Sequence, residues 1–453
     1  MQYDVIIVGG GPAGIFAALE LSQKAKVLLL EKGRDLQKRS CPMKVKNVQC
    51  VQCKPCSITS GWGGAGAFSD GKLTISTEVG GHLSEYVGET ELRKLVDEVD
   101  KIYLQYGAPD HLYTVEGKLL EQFKRDATKA DLYLEYSPIR HLGTGRSQEV
   151  LLAMKDDLVS RGVEIKTMLT VNSILTENGR VVGVSTDSGD FYAQNVIVAP
   201  GREGHNWFTK EAGRLGLKTE MNPVDIGVRV ELPKVIMEHL TDHLFESKYI
   251  YYSKTFEDKV RTFCMCPGGE VVAENNSGLI TVNGHTRSDR TTENTNFAVL
   301  VSKNFTEPFK DPTKYGQYIS TLANLLGGGV LVQRLGDLLD GRRSTRERMQ
   351  KSTTRQTLTN ATPGDLSLVF PYRHLVSILE MLQALDKVAP GVYSRNTLLY
   401  GVEVKFYSSR VEVSNQLETA IKGLYAVGDG AGITRGLMQA SCSGIIAARS
   451  ILS

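Results

Sequence analysis

Cysteine is scarce in this chain. Seven occur in 453 residues, an odd number that argues against a simple disulfide framework. Charge of one sign is missing as well. Lys and Arg number 53 against 51 Asp and Glu, a formal +2, so composition gives no electrostatic reason to expect nucleic acid or an anionic membrane as a partner. No uninterrupted apolar run approaches the roughly 18 to 20 residues needed to cross a bilayer. The opening MQYDVIIVGGG has no basic stretch before its apolar run and no small-residue cleavage site after it, so it does not read as a signal peptide. A cytoplasmic protein with reduced or metal-bound thiols is the expectation. The eight histidines are scattered without H-E-x-x-H spacing, and His239 and His243 in HLTDH read as the surface of an amphipathic helix. G-x-S-x-G and the phosphate-binding loop of nucleotide triphosphatases are also lacking, which excludes the motif-bearing hydrolases of those classes.

What is present is glycine, 45 residues of it, and it falls in a pattern. Tyr3 to Val8, YDVIIV, is a β-branched run of the kind buried on both faces of a sheet. It leads into GGGPAG, where Gly9, Gly11 and Gly14 have G-x-G-x-x-G spacing, then into a helical IFAALELSQKA and a second buried strand ending at Glu31. Gly9 permits the tight turn, Gly11 lets the backbone approach a pyrophosphate, and Gly14 allows close helix–strand packing. The helix that starts at Pro12 and Ala13 offers the free N–H groups that follow the proline, and a positive dipole end, to phosphates. Glu31 is placed to accept ribose hydroxyls, and an acid there disfavours a 2′-phosphate. Lys32 and Arg34 complete the candidate cofactor set on this side. The unit predicts a dinucleotide site but does not by itself separate NAD from FAD.

Two later segments bear on that choice. NVIVAPGREG, Asn195 to Gly204, is another buried strand followed by a glycine turn at Gly201. GLYAVGDGAGITRGLMQASCSGIIAARSIL begins with a strand, turns through Gly428 and Asp429, and continues as a helix from about Gly436. With the N-terminal unit they resemble the three fingerprints of two-domain FAD oxidoreductases of the glutathione-reductase-like superfamily. The resemblance implies FAD as cofactor, Asp429 on its ribityl or pyrophosphate part, and the N–H groups of Gly436, Leu437 and Met438 facing the flavin N1/C2=O edge. It further implies that SGWGGAGAFSDGKLT wraps the cofactor through Gly63, Gly64, Gly66, Ser69, Asp70 and Gly71, and that Val171 gives backbone contacts to the adenine. Together with FCMCPGGEVVAENNSGLITVNG, these segments are similar to a group of bacterial FAD-dependent dehydrogenases, distantly related to geranylgeranyl reductases and BaiN-like flavoproteins.

The expected fold is therefore α/β, a discontinuous Rossmann-like FAD-binding domain (1–76, 145–220 and 395–453). A helical insertion (77–144) and an inserted α+β substrate or cap domain (221–394) interrupt it. No second G-x-G-x-x-G follows a strand, so electrons are expected from the substrate itself, a protein donor or a docked reduced nicotinamide. The expected activity is hydride transfer between flavin N5 and a small organic substrate. The rivals are an electron-transfer iron–sulfur flavoprotein and a flavin monooxygenase. Candidates for proton transfer or nucleophilic work are Cys264, Cys266 and Arg229, followed by His285, Arg287 and Tyr372. By period two, Cys264 and Cys266 would share one face of a strand. The basic run Arg342 to Thr357 reads as a solvated surface. The remaining puzzle is CPMKVKNVQCVQCKPC, which places Cys41, Cys50, Cys53 and Cys56 within sixteen residues. Four readings stay open: a [4Fe–4S] cluster, tetrahedral zinc, a C-x2-C redox pair feeding the flavin, and structural thiols.

Overall fold

The computed structural model describes residues 2–42, 45, 51, 53–69, 71–276, 278–286, 291–305, 308–309 and 311–453; the side chains of 144 and 276 are not described. The chain forms two compact units, one of residues 1–112, 140–222 and 407–453, the other of 113–139 and 223–406.

In the first unit five parallel strands lie in the order Glu164–Thr167, Val27–Glu31, Tyr3–Val8, Gly189–Val198 and Leu424–Ala426. Their near-continuous Val, Ile and Leu content matches burial on both faces, as parallel sheets require. Register decides the rest. Val8 pairs with Leu30 on one side and Val198 on the other, and Val198 pairs with Ala426. Four strands therefore end level, and the glycine turns that follow them leave the sheet at one edge. Gly189–Val198 belongs to two sheets at once. Its first half pairs antiparallel with Arg180–Thr186, which in turn pairs with Val171–Glu177. The helix Pro12–Leu21 is apolar on most of its surface and packs along the helix Leu437–Leu452, with Gly444 lying against Ala13 and Ala17.

The second unit is built on an eight-stranded sheet, ordered Thr362–Pro363, Leu331–Arg334, Leu398–Lys405, Val224–Pro233, Asn294–Lys303, Lys259–Cys266, Lys248–Tyr252 and Tyr133–Glu135. Alternation in VDIGVRVELP is strict. Val224, Ile226, Val228, Val230 and Leu232 enter one apolar core with the helix Tyr372–Val388. Asp225, Arg229 and Glu231 fall on the alternate positions and are buried as well. The hairpin Glu270–Asn276/Leu279–His285 shares a smaller core with Val332, Leu398 and Tyr400.

The units depart from the boundaries expected of the sequence. Residues 77–112 fall in the first unit and 113–139 in the second, so 77–144 is no separate helical insertion; it also contains the strand Tyr133–Glu135. Leu398–Lys405 pairs antiparallel with Val224–Pro233, from Asp225 opposite Lys405 to Glu231 opposite Leu398. Long-range pairing thus assigns 395–406 to the second unit, and the last part of the first begins at Tyr407. Among the described residues no helix is long and apolar enough to cross a membrane.

Candidate cofactor site

The glycine turn after Tyr3–Val8 is stitched to its neighbours by backbone hydrogen bonds. Gly9 N–H donates to the Leu30 carbonyl at 2.8 Å. A Cβ on Gly14 would stand 2.0 Å from the Gly9 carbonyl oxygen, so only glycine lets the first helix start this close to the turn. The helix is capped by Gly11 with Pro12 in its first turn. It has no capping side chain and no acidic residue in that turn. Its N–H donors and positive dipole end are left for a ligand anion.

Glu31 does more than the sequence suggested. Its carboxylate is 6% exposed and accepts three backbone N–H bonds, from Gly10 (2.8 Å), Gly33 (2.8 Å) and Gly61 (2.9 Å). One acid thus fastens three loops at the sheet edge. A carboxylate has about four acceptor directions, so one is left beside these three bonds for a ribose hydroxyl. Of its neighbours, Lys32 pairs with Glu203, and the carbonyl of Arg34 accepts from Trp62 N–H at 3.0 Å. Leu169 N–H donates to the Glu31 carbonyl, which brings the strand beginning at Val171 to the end of Val27–Glu31.

The loop Ser60–Gly71 meets the first turn directly. Gly63 N–H donates to the Gly10 carbonyl at 2.7 Å, and a Cβ on Gly64 would lie 3.2 Å from Gly11 Cα. Pro12, Gly63, Gly66 and Leu437 line one small cleft with Tyr103 and Leu151, so residues from three motifs meet there. Ser69 spends its hydroxyl inside the loop, donating to the Gly66 carbonyl and accepting from Gly71 N–H. Asp70 lies outside the described residues. Two residues that the sequence did not single out hold this loop. Trp62 is fully buried and its indole N–H donates to the Leu151 carbonyl at 2.8 Å. Arg39 is 6% exposed and surrounded by carbonyls. No periodicity or motif marks either in the sequence.

The last motif closes the edge. Gly430 lies against the Gly201 carbonyl, bringing the turns after Gly189–Val198 and Leu424–Ala426 together. Gly428 N–H donates to the Ser443 hydroxyl oxygen at 3.1 Å. The Asp429 carboxylate accepts from the Thr434 hydroxyl (2.8 Å) and Gly436 N–H (3.1 Å), with the Arg202 guanidinium 4.0 Å away. Burial raises its pKa, and Arg202, Thr434 and Gly436 oppose that shift. Gly436 caps the helix Leu437–Leu452, which also lacks an acid in its first turn; Leu437 is partly exposed and Met438 buried. The Arg435 guanidinium stacks on the Tyr407 ring at 3.8 Å.

In the second unit, the three candidates for catalysis touch one another. Arg229 is fully buried. It donates from Nε to Asn296 Oδ1 (2.8 Å), from Nη1 to Glu403 (3.4 Å), and from Nη2 to the Cys264 carbonyl (2.6 Å) and Cys266 Sγ (3.2 Å). Glu403 also pairs with Lys405 at 2.9 Å. The expected shared face of Cys264 and Cys266 is not what forms. A bulge interrupts the register between Phe263 and Cys266, and Cys264 sits at φ +48°, so alternation breaks between the two thiols. Tyr372 is exposed and Arg287 lies outside the described residues. His239 Nε2 donates to the Val388 carbonyl, a structural contact.

Cys41, Cys53 and Cys56 are partly or fully exposed and none is in a disulfide; Cys50 lies outside the described residues. Among the described residues no group of three His, Cys, Asp or Glu is gathered to hold a metal.

The close glycine contacts and two uncapped helix starts at one sheet edge fit a dinucleotide. Residues 2–45 match the family described as FAD binding domain, and residues 223–406 match the one described as FAD-dependent protein, C-terminal domain-like. In both segments the chain is similar to FAD-dependent proteins. An uncharacterized protein of Clostridium beijerinckii is 26% identical to this chain over 472 residues, covering 99% of this chain and 80% of its own. The solved L-proline dehydrogenase of P. horikoshii has 12% identity and a TM-score of 0.43, covering 99% of this chain and 93% of its own. The 3-ketosteroid-Δ4-(5α)-dehydrogenase of Rhodococcus jostii RHA1 has 14% identity and a TM-score of 0.46, covering 100% and 97%. At such distances neither structure speaks to what this chain acts on.

Proposed function

We propose that the chain is a dehydrogenase or reductase that holds FAD along the carboxyl edge of its parallel sheet and acts on a small organic substrate. The observation that carries this reading is the level ending of the strands before Gly9, Gly201 and Gly428, whose turns meet at one edge. Ligands of open α/β sheets bind in that crevice. FAD, when bound, supplies a ring that accepts and returns a hydride equivalent. The protein's part is binding and electrostatics. The start of Pro12–Leu21 would take the pyrophosphate, Glu31 the ribose, and Asp429 a hydroxyl of the ribityl chain. The uncapped start of Leu437–Leu452 would favour negative charge beside it. With no second dinucleotide turn in the sequence, the proposed source of electrons is the substrate, a protein donor or a docked nicotinamide. The cysteine segment is kept as a metal or thiol station that could feed such a cofactor.

The direct test is an absorption spectrum and metal analysis of anaerobically purified protein. Flavin bands stoichiometric with the chain are expected, and iron or zinc content then decides among the readings of the cysteines. Protein that purifies colourless and takes up no added FAD would sink the proposal.

Asp429→Asn probes the same site by pH. Burial places the Asp429 pKa above its ordinary 3.8 in the folded protein. Its contribution to stability is therefore complete below that ordinary value and is lost as pH rises through the folded value. Asp429→Asn apoprotein should match or exceed wild type in thermal stability at neutral pH, and the difference should vanish in acid. FAD affinity should fall about tenfold, the worth of one charge-assisted hydrogen bond. Unchanged affinity by fluorescence titration would remove Asp429 from the site.

A further inference from the structure

Arg39 uses one buried guanidinium to join two stretches of chain. Nε donates to the Ser57 carbonyl (2.8 Å) and Nη2 to the Ile58 carbonyl (2.8 Å), the two residues immediately after Cys56. Nη1 donates to the Trp62 carbonyl (2.6 Å) and the Gly64 carbonyl (2.9 Å), in the turn that touches Gly10 and Gly11. The same group lies over the Phe68 ring at 4.7 Å. Burial lowers its pKa to about 10, against the opposing pull of Glu31 and Cys56, so it remains a cation at neutral pH. Four inward-turned carbonyls have their partners at this single side chain, and a buried carbonyl left without a donor is costly. Cys53 is exposed and Cys56 partly so, which leaves the near end of this link open to reagents.

We propose that Arg39 is a positioning residue for the cofactor turn Gly63–Gly66, and that it transmits changes at the Cys53–Cys56 segment to that turn. The inference rests on the FAD reading above. A modification that moves Ser57 and Ile58 shifts two of the four acceptors of a rigid, planar donor, and the other two acceptors belong to the turn against Gly11. Coupling of this kind is reciprocal: what the thiol segment does to FAD affinity, bound FAD does to the thiol segment.

The test uses the full chain, stripped of flavin and reconstituted with FAD. Four readouts are compared for wild type, Arg39→Lys and Arg39→Met: FAD affinity, the visible circular dichroism of bound flavin, the apoprotein melting temperature, and the rate of Cys53 and Cys56 alkylation by iodoacetamide with and without FAD. Arg39→Met should weaken FAD at least tenfold. Arg39→Lys, which keeps the charge but cannot span both pairs of carbonyls, should weaken it several-fold with an altered dichroism. FAD should slow Cys56 alkylation several-fold in wild type and in neither variant, and alkylated wild type should bind FAD several-fold more weakly. The proposal is overturned if Arg39→Lys binds FAD within twofold of wild type, or if FAD protects Cys56 equally in the variants, since protection would then be simple coverage. Should Arg39→Met fail to fold, Arg39→Lys and the wild-type alkylation still decide. Wild-type apoprotein that takes up no FAD defeats the cofactor reading instead, a distinguishable result.

Discussion

Gly9→Ala is expected to yield protein that purifies without flavin and melts well below wild type. Gly9 sits at φ +112°, and a Cβ there would stand 2.1 Å from the Ala199 carbonyl oxygen and 2.9 Å from its carbon. Neither obstacle is a flexible side chain that can swing aside; both belong to the backbone following the neighbouring parallel strand. Backbone strain of about 1–3 kcal/mol adds to overpacking of about 1–3 kcal/mol, so a total on the order of 4 kcal/mol is expected. The shift would also move the turn that Glu31 and Gly63 fasten, which is why cofactor and stability should fail together. Gly213→Ala is the control. That glycine lies in the exposed face of the helix His205–Arg214 with nothing within 4 Å of a new Cβ, and alanine there should stabilise by about 0.5–1 kcal/mol. A flavin-replete Gly9→Ala protein with the wild-type melting temperature would show that the turn does not need glycine.

The second large effect lies in the sheet of the other unit, where Arg229 and Lys405 share Glu403. The side chains of Arg229 and Glu403 are fully buried and that of Lys405 is 10% exposed. Glu403→Gln leaves two cations without the carboxylate they share. Breaking a buried pair from one side costs about 3–5 kcal/mol. Arg229→Met is expected to cost less, about 1–3 kcal/mol, because Glu403 keeps Lys405 and the remaining loss is of hydrogen bonds at Asn296, Cys264 and Cys266. Urea unfolding of the two variants gives the order directly. If Arg229→Met proves the more damaging, the cluster is organised around the arginine's hydrogen bonds and not around the shared carboxylate.

What could be read from sequence was what the chain builds locally. A strand, a glycine turn and a helix are contiguous, so the turns at Gly9, Gly201 and Gly428 could each be recognised from a dozen residues. The alternation in VDIGVRVELP likewise shows directly which of its residues share a face. Arg39 could not be found in this way, because its acceptors lie 18 to 25 residues further on and carbonyls carry no side-chain signature. Glu31 was legible as an acid at the end of a strand, but not as an anchor for Gly33 and Gly61. The boundary near residue 406 was hidden for a related reason: Leu398–Lys405 is apolar enough for either sheet, and only its pairing with a strand some 170 residues earlier decides. The bulge before Cys266 breaks period two at a point where the sequence gives no glycine to announce it.

The order in which segments join the first sheet has a consequence for synthesis. Leu424–Ala426 completes the row of parallel strands, and the helix Leu437–Leu452 covers the helix Pro12–Leu21, yet both are made more than 400 residues after Tyr3. On a ribosome, Tyr3–Val8 and its helix must wait with apolar surface uncovered until those residues emerge. The second unit, nearly all of it contiguous, can close first. The half of the protein that begins first therefore finishes last. FAD supplied during translation would find no complete edge to bind until the last turn and helix had been added.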